Sequence, residues 1–198
     1  RLIATKSMKT WRMALHAIAL GLVMAGLYAS SLYSYILFHT LVEMFTIAVA
    51  WGIFMVAWNA RRHLRNGYLL FVAIAMAFIG VVDILHSLSY KGVNVLGDDS
   101  PNLPTQLWIA DRYMNGFAFL IAPWFLHHAA RPTWIFLGWL AVATAVLVSI
   151  FTGLFPDCFV GVGVTGHQTP FKIHSEYAVC AILGTAMLFL WRRRTGFT

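Results

Sequence analysis

GYLLFVAIAMAFIGVVDILHSLSY, residues Gly67 to Tyr90, is the stretch whose reading decides the fold. From Tyr68 to Val82 it holds no charged residue, and about 20 helical residues are enough to cross a hydrocarbon core of ~30 Å. The run therefore reads as a transmembrane helix. Asp83 and His86 then interrupt it near its end. An ionisable side chain in lipid costs several kcal/mol, by order of magnitude, unless it is paired or faces a cavity.

Five further runs of the same kind surround it, approximately Trp11 to Leu32, Tyr35 to Ala60, Leu107 to His128, Trp134 to Phe155 and Phe171 to Trp191. Of the 198 residues, 60% are hydrophobic and 11% are charged, whereas a soluble domain carries about 25% charged residues to cover its surface. The expected fold is an all-α, polytopic transmembrane bundle of six spans, with no stretch left over for a soluble domain. Pro104, Pro132, Pro156 and Pro170 fall at or beyond span ends, where a missing backbone donor costs least. The first run lacks a small-residue cleavage site and is expected to be a retained helix. Cys158 and Cys180 are too few for a disulfide framework, and Cys180 lies inside a span, so no bridge is expected between them.

Lysine and arginine set the orientation, because cytoplasmic loops are enriched in them. Arg1, Lys6, Lys9 and Arg12 precede the first run; Arg61, Arg62 and Arg65 lie between the second and third; Arg131 lies between the fourth and fifth; Arg192, Arg193 and Arg194 follow the sixth. These segments alternate, so eleven of the 14 basic residues fall on one side. Both termini are expected in the cytoplasm, and none of the seven acidic residues falls in a cytoplasmic segment. The net charge of +7 is thus a topology signal, with no basic face for nucleic acid. Trp11, Tyr33, Tyr35, Trp58, Tyr68, Tyr90, Trp108, Trp134, Tyr177 and Trp191 sit near span borders as interfacial anchors do. Gly21, Gly26, Gly80, Gly116, Gly138 and Gly184 are small enough to permit close helix approach.

The ionisable residues inside the runs are not scattered. His39 and Glu43, Asp83 and His86, Asp111 and Arg112, and His174 and Glu176 all lie within one or two turns of the outer ends of their helices. At 1.5 Å per residue they share a layer at most ~10 Å deep. The spacing of four between His39 and Glu43, and of three between Asp83 and His86, puts each pair on one helical face. Two readings stay open. In the first, Arg112 pairs with Asp83, Asp111 or Glu43 to neutralise buried charge and hold the bundle together. In the second, the layer lines a water-accessible ligand site. His39, Glu43, Asp83 and His86 form an oxygen and nitrogen set suited to a divalent metal, and Asp83-x-x-His86 resembles the carboxylate-x-x-His face of di-metal bundles. Arg112, Lys91 and Lys172, framed by Tyr90, Trp108 and Phe171, suit an anionic or carbonyl-bearing molecule. His63, His127 and His128 lie at cytoplasmic ends and read as interfacial, His16 as a core residue, and the loop from Asp157 to Pro170, with His167, as a cap over the pocket.

FHTLVE (Phe38 to Glu43), DILHSLSYKG (Asp83 to Gly92), QLWIADRY (Gln106 to Tyr113), FPDCF (Phe155 to Phe159) and TPFKIHSEY (Thr169 to Tyr177) together resemble the third family of bacterial membrane-associated sensor domains, from about Tyr35 onward. The resemblance implies an input module of a histidine kinase or diguanylate cyclase in the bacterial inner membrane, acting as a homodimer through its effector domains. It implies motif residues at His39, Glu43, Asp83, His86, Tyr90, Lys91, Trp108, Arg112, Cys158, Lys172 and Glu176, with His174 outside the pattern. It also implies further helices and a cytoplasmic effector beyond Thr198.

The expected function is detection of a small molecule or ion and transmission to that effector. A membrane metal or haem redox protein using the same layer is the alternative. A transporter ranks third, since its polar groups would sit near the midplane, on broken helices in matching repeats. No P-loop, nucleophile motif or kinase signature occurs, so catalysis is expected outside this chain.

Overall fold

The computed structural model describes the backbone of residues 2–64, 67–97, 100–126, 128, 130–161 and 165–193, with side chains from residue 11 onward. Arg1, Arg65, His127 and Arg194 lie outside the described residues, and Lys6 and Lys9 are described in backbone only. The chain divides into two compact units, Arg1–Val42 and Glu43–Thr198.

Among its described residues the first unit is helical except at Ser34. Helix α1, Leu2–Tyr33, meets helix α2, Tyr35–Ala60, at the single non-helical residue Ser34. Ser34 N–H donates to Ser30 O at 2.9 Å, and Phe38 N–H donates to Ser34 O at 3.0 Å. The side chains of α1 from Trp11 onward are largely exposed, Leu22 and Leu32 by about 70%, as lipid-facing positions are when no lipid is present.

The second unit holds the rest of α2, then α3 (Tyr68–Ser89), α4 (Asn102–Ile121), a 3-10 segment (Ala122–Leu126), α5 (Pro132–Phe151) and α6 (Pro170–Arg192). Helix α3 is the interior helix: 67% of its most apolar window is buried, against 17% or less for the other four helices long and apolar enough to cross a membrane. It packs on α4 and α5, and α4 packs on α6. Phe71 of α3 stacks on Phe125 at 4.6 Å and meets Trp139 of α5 at 6.0 Å, while Phe78 meets Phe136 edge-on at 4.9 Å. Lipid tails are as apolar as leucine, so this interface is held by close packing and not by escape from water.

The six helices bear out the all-α membrane bundle. Five qualify as spans by length and composition, and α4 is not one of them; Asn102, Gln106, Asp111, Arg112 and Asn115 lower its apolarity. The fourth run was expected at Leu107 to His128, but the helix starts at Asn102, with Pro104 in its first turn, and stops at Ile121. Pro123 supplies no N–H to continue the ladder and the chain tightens into the 3-10 segment. The fifth run ends at Phe151, four residues earlier than expected, because Gly153 adopts φ 72° and Leu154 N–H closes back onto Ser149 O, a glycine-terminated helix end. The loop between α5 and α6 adds a small antiparallel pair, Phe159–Val160 with His167–Gln168. Cys158 and Cys180 are both free.

Of the glycines expected at helix contacts, Gly21, Gly26, Gly138 and Gly184 have open space where a Cβ would stand. Gly80 of α3 does not: a Cβ there would lie 2.8 Å from Nε1 of Trp51 on α2. Gly80→Val is therefore expected to destabilise the second unit by about 1–3 kcal/mol, the usual cost of overpacking, while Gly138→Val leaves stability unchanged. Unfolding midpoints of the two variants in mixed micelles check this.

Candidate functional site

Asp83 and His86 lie three residues apart on α3, both buried at 4% exposure. The Asp83 carboxyl forms a hydrogen bond with the Glu43 carboxyl of α2 and lies within electrostatic range of Asp111 and Arg112 of α4. His86 Nδ1 is 2.8 Å from the carbonyl oxygen of Pro104. A carbonyl only accepts, so Nδ1 carries a proton and donates it. A ring nitrogen of His86 and a carboxylate oxygen of Glu43 come within 4.8 Å of each other. Tyr90, at the C-terminal cap of α3, sets its ring edge-on to His86 at 6.1 Å.

Asp111 is 2% exposed. Its Oδ2 accepts from Asn115 Nδ2 at 3.3 Å and stands 3.7 Å from Arg112 Nε. Oδ1 of Asp83 and Oδ1 of Asp111 have no hydrogen-bond partner among the described residues. Arg112 turns back along its own helix, its guanidinium carbon 5.4 Å from the centre of the Trp108 ring.

Trp108 joins this group to a second one. Lys172 Nζ of α6 also lies over its ring at 5.4 Å, and a cation over an indole face is attracted by the ring quadrupole. Lys172 is 7% exposed and its charge is met by Glu176 Oε1 at 2.7 Å, one turn along α6. Thr169 caps that helix, its Oγ1 accepting from Lys172 N–H and donating to Asp157 O at 2.6 Å.

Of the ten expected ligand residues, Glu43, Asp83, His86 and Arg112 thus gather in the second unit, Tyr90 beside them, and Trp108, Lys172 and Glu176 on the α4–α6 side. His39 belongs to the first unit, one turn before Glu43 on α2, with its ring 6.3 Å from that of Tyr35. Lys91 is exposed in the turn after α3, and His174 is exposed on α6. Phe171 meets Phe155 edge-on at 5.8 Å.

Two residues that sequence reasoning passed over organise the loop between α5 and α6. Asn102 Oδ1 accepts from the N–H groups of Cys158 at 2.8 Å and Phe159 at 3.0 Å, while its Nδ2 donates to Asp157 Oδ1 at 2.7 Å. Gln106 Nε2 donates to the carbonyls of Phe155 and Pro156, both at 3.1 Å. Amides one turn apart at the start of an otherwise apolar helix were the available signal. An apolar cavity of about 540 Å³ between α3, α4 and α5, lined by Phe71, Tyr113, Met114, Trp139 and Val146 among others, carried none, since its lining reads like any lipid-facing surface.

These features define a helical membrane protein whose buried ionisable residues converge on one interior helix. The chain belongs to the family MASE3, membrane-associated sensor domain, whose model matches residues 30–198. No curated protein and no solved structure matches it. All ten expected ligand residues fall inside the matched region, and most of α1 falls outside it.

Cys158 is fully buried beneath the Asn102 clamp, and burial pushes its thiol up to about 11, against the opposing pull of Lys172. The thiolate is the reactive form, so in a Cys180→Ser background alkylation is expected to be slow at pH 7 and to accelerate as pH rises towards 11. Asn102→Ala strands two loop N–H groups, a cost of about 1–3 kcal/mol for each one left buried. It is expected to speed alkylation at fixed pH, read by mass spectrometry.

Proposed function

We propose that this chain is the sensory input domain of a bacterial signalling protein in the inner membrane. A small ligand or ion enters from outside and is held in the polar layer around Asp83 and His86. The resulting change in helix packing passes to a cytoplasmic histidine kinase or diguanylate cyclase, within a homodimer formed through the effector domains. Catalysis belongs to that effector and not to this chain. Its membrane-embedded partners are the lipid bilayer and the ligand.

One observation carries the reading: Asp83 and His86 are buried on α3, the helix that packs against both α4 and α5. A ligand that binds one packing arrangement better than another shifts the population between them by its difference in affinity. A ligand on α3 therefore acts on a helix whose packing involves both α4 and α5. The family supports a sensory role, and the segregation of Arg61, Arg62, Arg131, Arg192 and Arg193 from the seven acidic residues supports six spans with both termini inside.

Single replacement of His39, Glu43, Asp83, His86 or Arg112 in the full-length protein is expected to shift effector output by about tenfold or more for the residues that hold the ligand, since a coupling of 1–3 kcal/mol corresponds to about 5–150-fold. Unchanged output in all five sinks the pocket. Alkaline phosphatase fused after Gly97 is expected to be active, and after His63 or Arg131 inactive; the reverse pattern overturns the orientation.

A further inference from the structure

We propose that the apolar cavity of the second unit binds a planar, carbonyl-bearing ring compound dissolved in the bilayer, of the quinone class. The site is separate from the polar layer, since none of Glu43, Asp83, His86, Asp111 or Arg112 lines it. Helices α4 and α5 both pack on α3 and only lightly on one another, and the cavity of about 540 Å³ is the space left between them. Its floor is closed, because Phe71, Ala110, Met114 and Trp139 are all buried. Its rim is open and apolar, with Phe117, Ile121 and Val142 each close to half exposed. Along α4 the lining runs from Ala110 to Ile121, about 16 Å at 1.5 Å per residue. The shape is a slot, and its volume falls in the range of ligand pockets, about 300–1,000 Å³.

An empty slot forfeits dispersion contacts along its whole lining, so an occupant is favoured, and the lining says which kind. An acyl chain gains little by entering: lipid tails already give it equally apolar neighbours, and ordering it costs rotamer freedom. A rigid ring has no such freedom to lose. Five of the twelve lining residues are aromatic, Phe71, Tyr113, Phe117, Trp139 and Phe155, against 15% of the chain. On α4 the rings of Tyr113 and Phe117 lie nearly parallel, at 19° and 6.3 Å. On the floor Phe71 meets Trp139 at 6.0 Å. A flat ring placed among them adds offset and edge-on contacts that a saturated chain does not make.

Two lining residues also carry polar groups, the Tyr113 hydroxyl and the Trp139 indole N–H, and neither has a hydrogen-bond partner among the described residues. The indole only donates, and the hydroxyl has a proton to donate as well. Lipid tails offer no acceptor. A ring carbonyl supplies one, and its oxygen accepts from either group. An acyl tail supplies none. The apolar length of the slot then houses the start of the hydrocarbon tail that keeps such a ring in the bilayer.

The test uses the full-length protein in nanodiscs, titrated with a tritiated decyl-substituted benzoquinone, with empty nanodiscs as the partition blank. Saturable binding of one quinone per chain is expected. Duroquinone, a ring without a long tail, is expected to displace it, whereas palmitate, a tail without a ring, is not. Gly138→Leu adds a side chain at a lining position where a Cβ meets nothing within 4 Å, and is expected to weaken binding at least about tenfold with the fold intact. Tyr113→Phe is expected to weaken it about two- to tenfold, the range for one neutral hydrogen bond. Gly184→Leu, at an equally open position on α6 outside the cavity, is expected to bind as the unaltered protein does. An azido derivative of the quinone is expected to label peptides of α4 and α5, a readout that needs no variant. Binding no greater than the blank, displacement by palmitate as effective as by duroquinone, binding indifferent to both Gly138→Leu and Tyr113→Phe, or labelling confined to other helices overturns the proposal.

Discussion

Asp83 is where the physics of this protein is most constrained. A carboxyl on the most buried helix of a membrane bundle has no water to turn to and must find its partners on neighbouring helices. It finds Glu43 on α2 and, at longer range, Asp111 and Arg112 on α4. The same stretch of α3 places His86 against the backbone of α4 through Pro104. The polar contacts of one helical face therefore tie three helices together. Elsewhere in the second unit the contacts between these helices are mostly apolar, and the aromatic stack of Phe71, Phe125 and Trp139 closes the bundle at the opposite end of α3.

This arrangement separates two jobs along one helix. The stretch of α3 from Tyr68 to Val82 is apolar and packs by shape, with Gly80 letting Trp51 come close. The last two turns carry the ionisable pair. Packed cores have discrete alternatives and do not deform continuously, so a change of charge at the polar end would act on the relative packing of whole helices. The loop between α5 and α6 is pinned to the start of α4 by Asn102 and Gln106, so α4 meets the loop, the carboxyl group and α6 in turn.

Much of this was legible in the residues. Apolar length gave α2 and α3 almost to the residue, because a lipid-spanning helix must be uninterrupted to satisfy its own backbone, whereas α1 starts at Leu2 and α4 at Asn102, well ahead of the expected Trp11 and Leu107. The misplaced ends were local: Pro123 and Gly153 end α4 and α5 early, and both are readable signals once given weight over hydropathy. The i, i+3 spacing of Asp83 and His86 correctly put both on one buried face. Spacing could not say which charges meet across helices. Lys172 chose Glu176 on its own helix, Lys91 stayed in an exposed turn, and His174 faced outward although it shares a depth with Glu176. Those outcomes depend on helix rotation, which an apolar pattern with little amphipathicity leaves undetermined.

The central claim is that Glu43 and His86 serve one ligand as a unit, and a double-mutant cycle tests it most directly. Effector output of the full-length protein would be measured for Glu43→Gln, His86→Gln and the pair together. If both hold the same ligand, the double variant is expected to be no worse than the more damaged single one, since the second substitution removes an interaction already lost. Losses that multiply, as for two independent sites, would contradict the account.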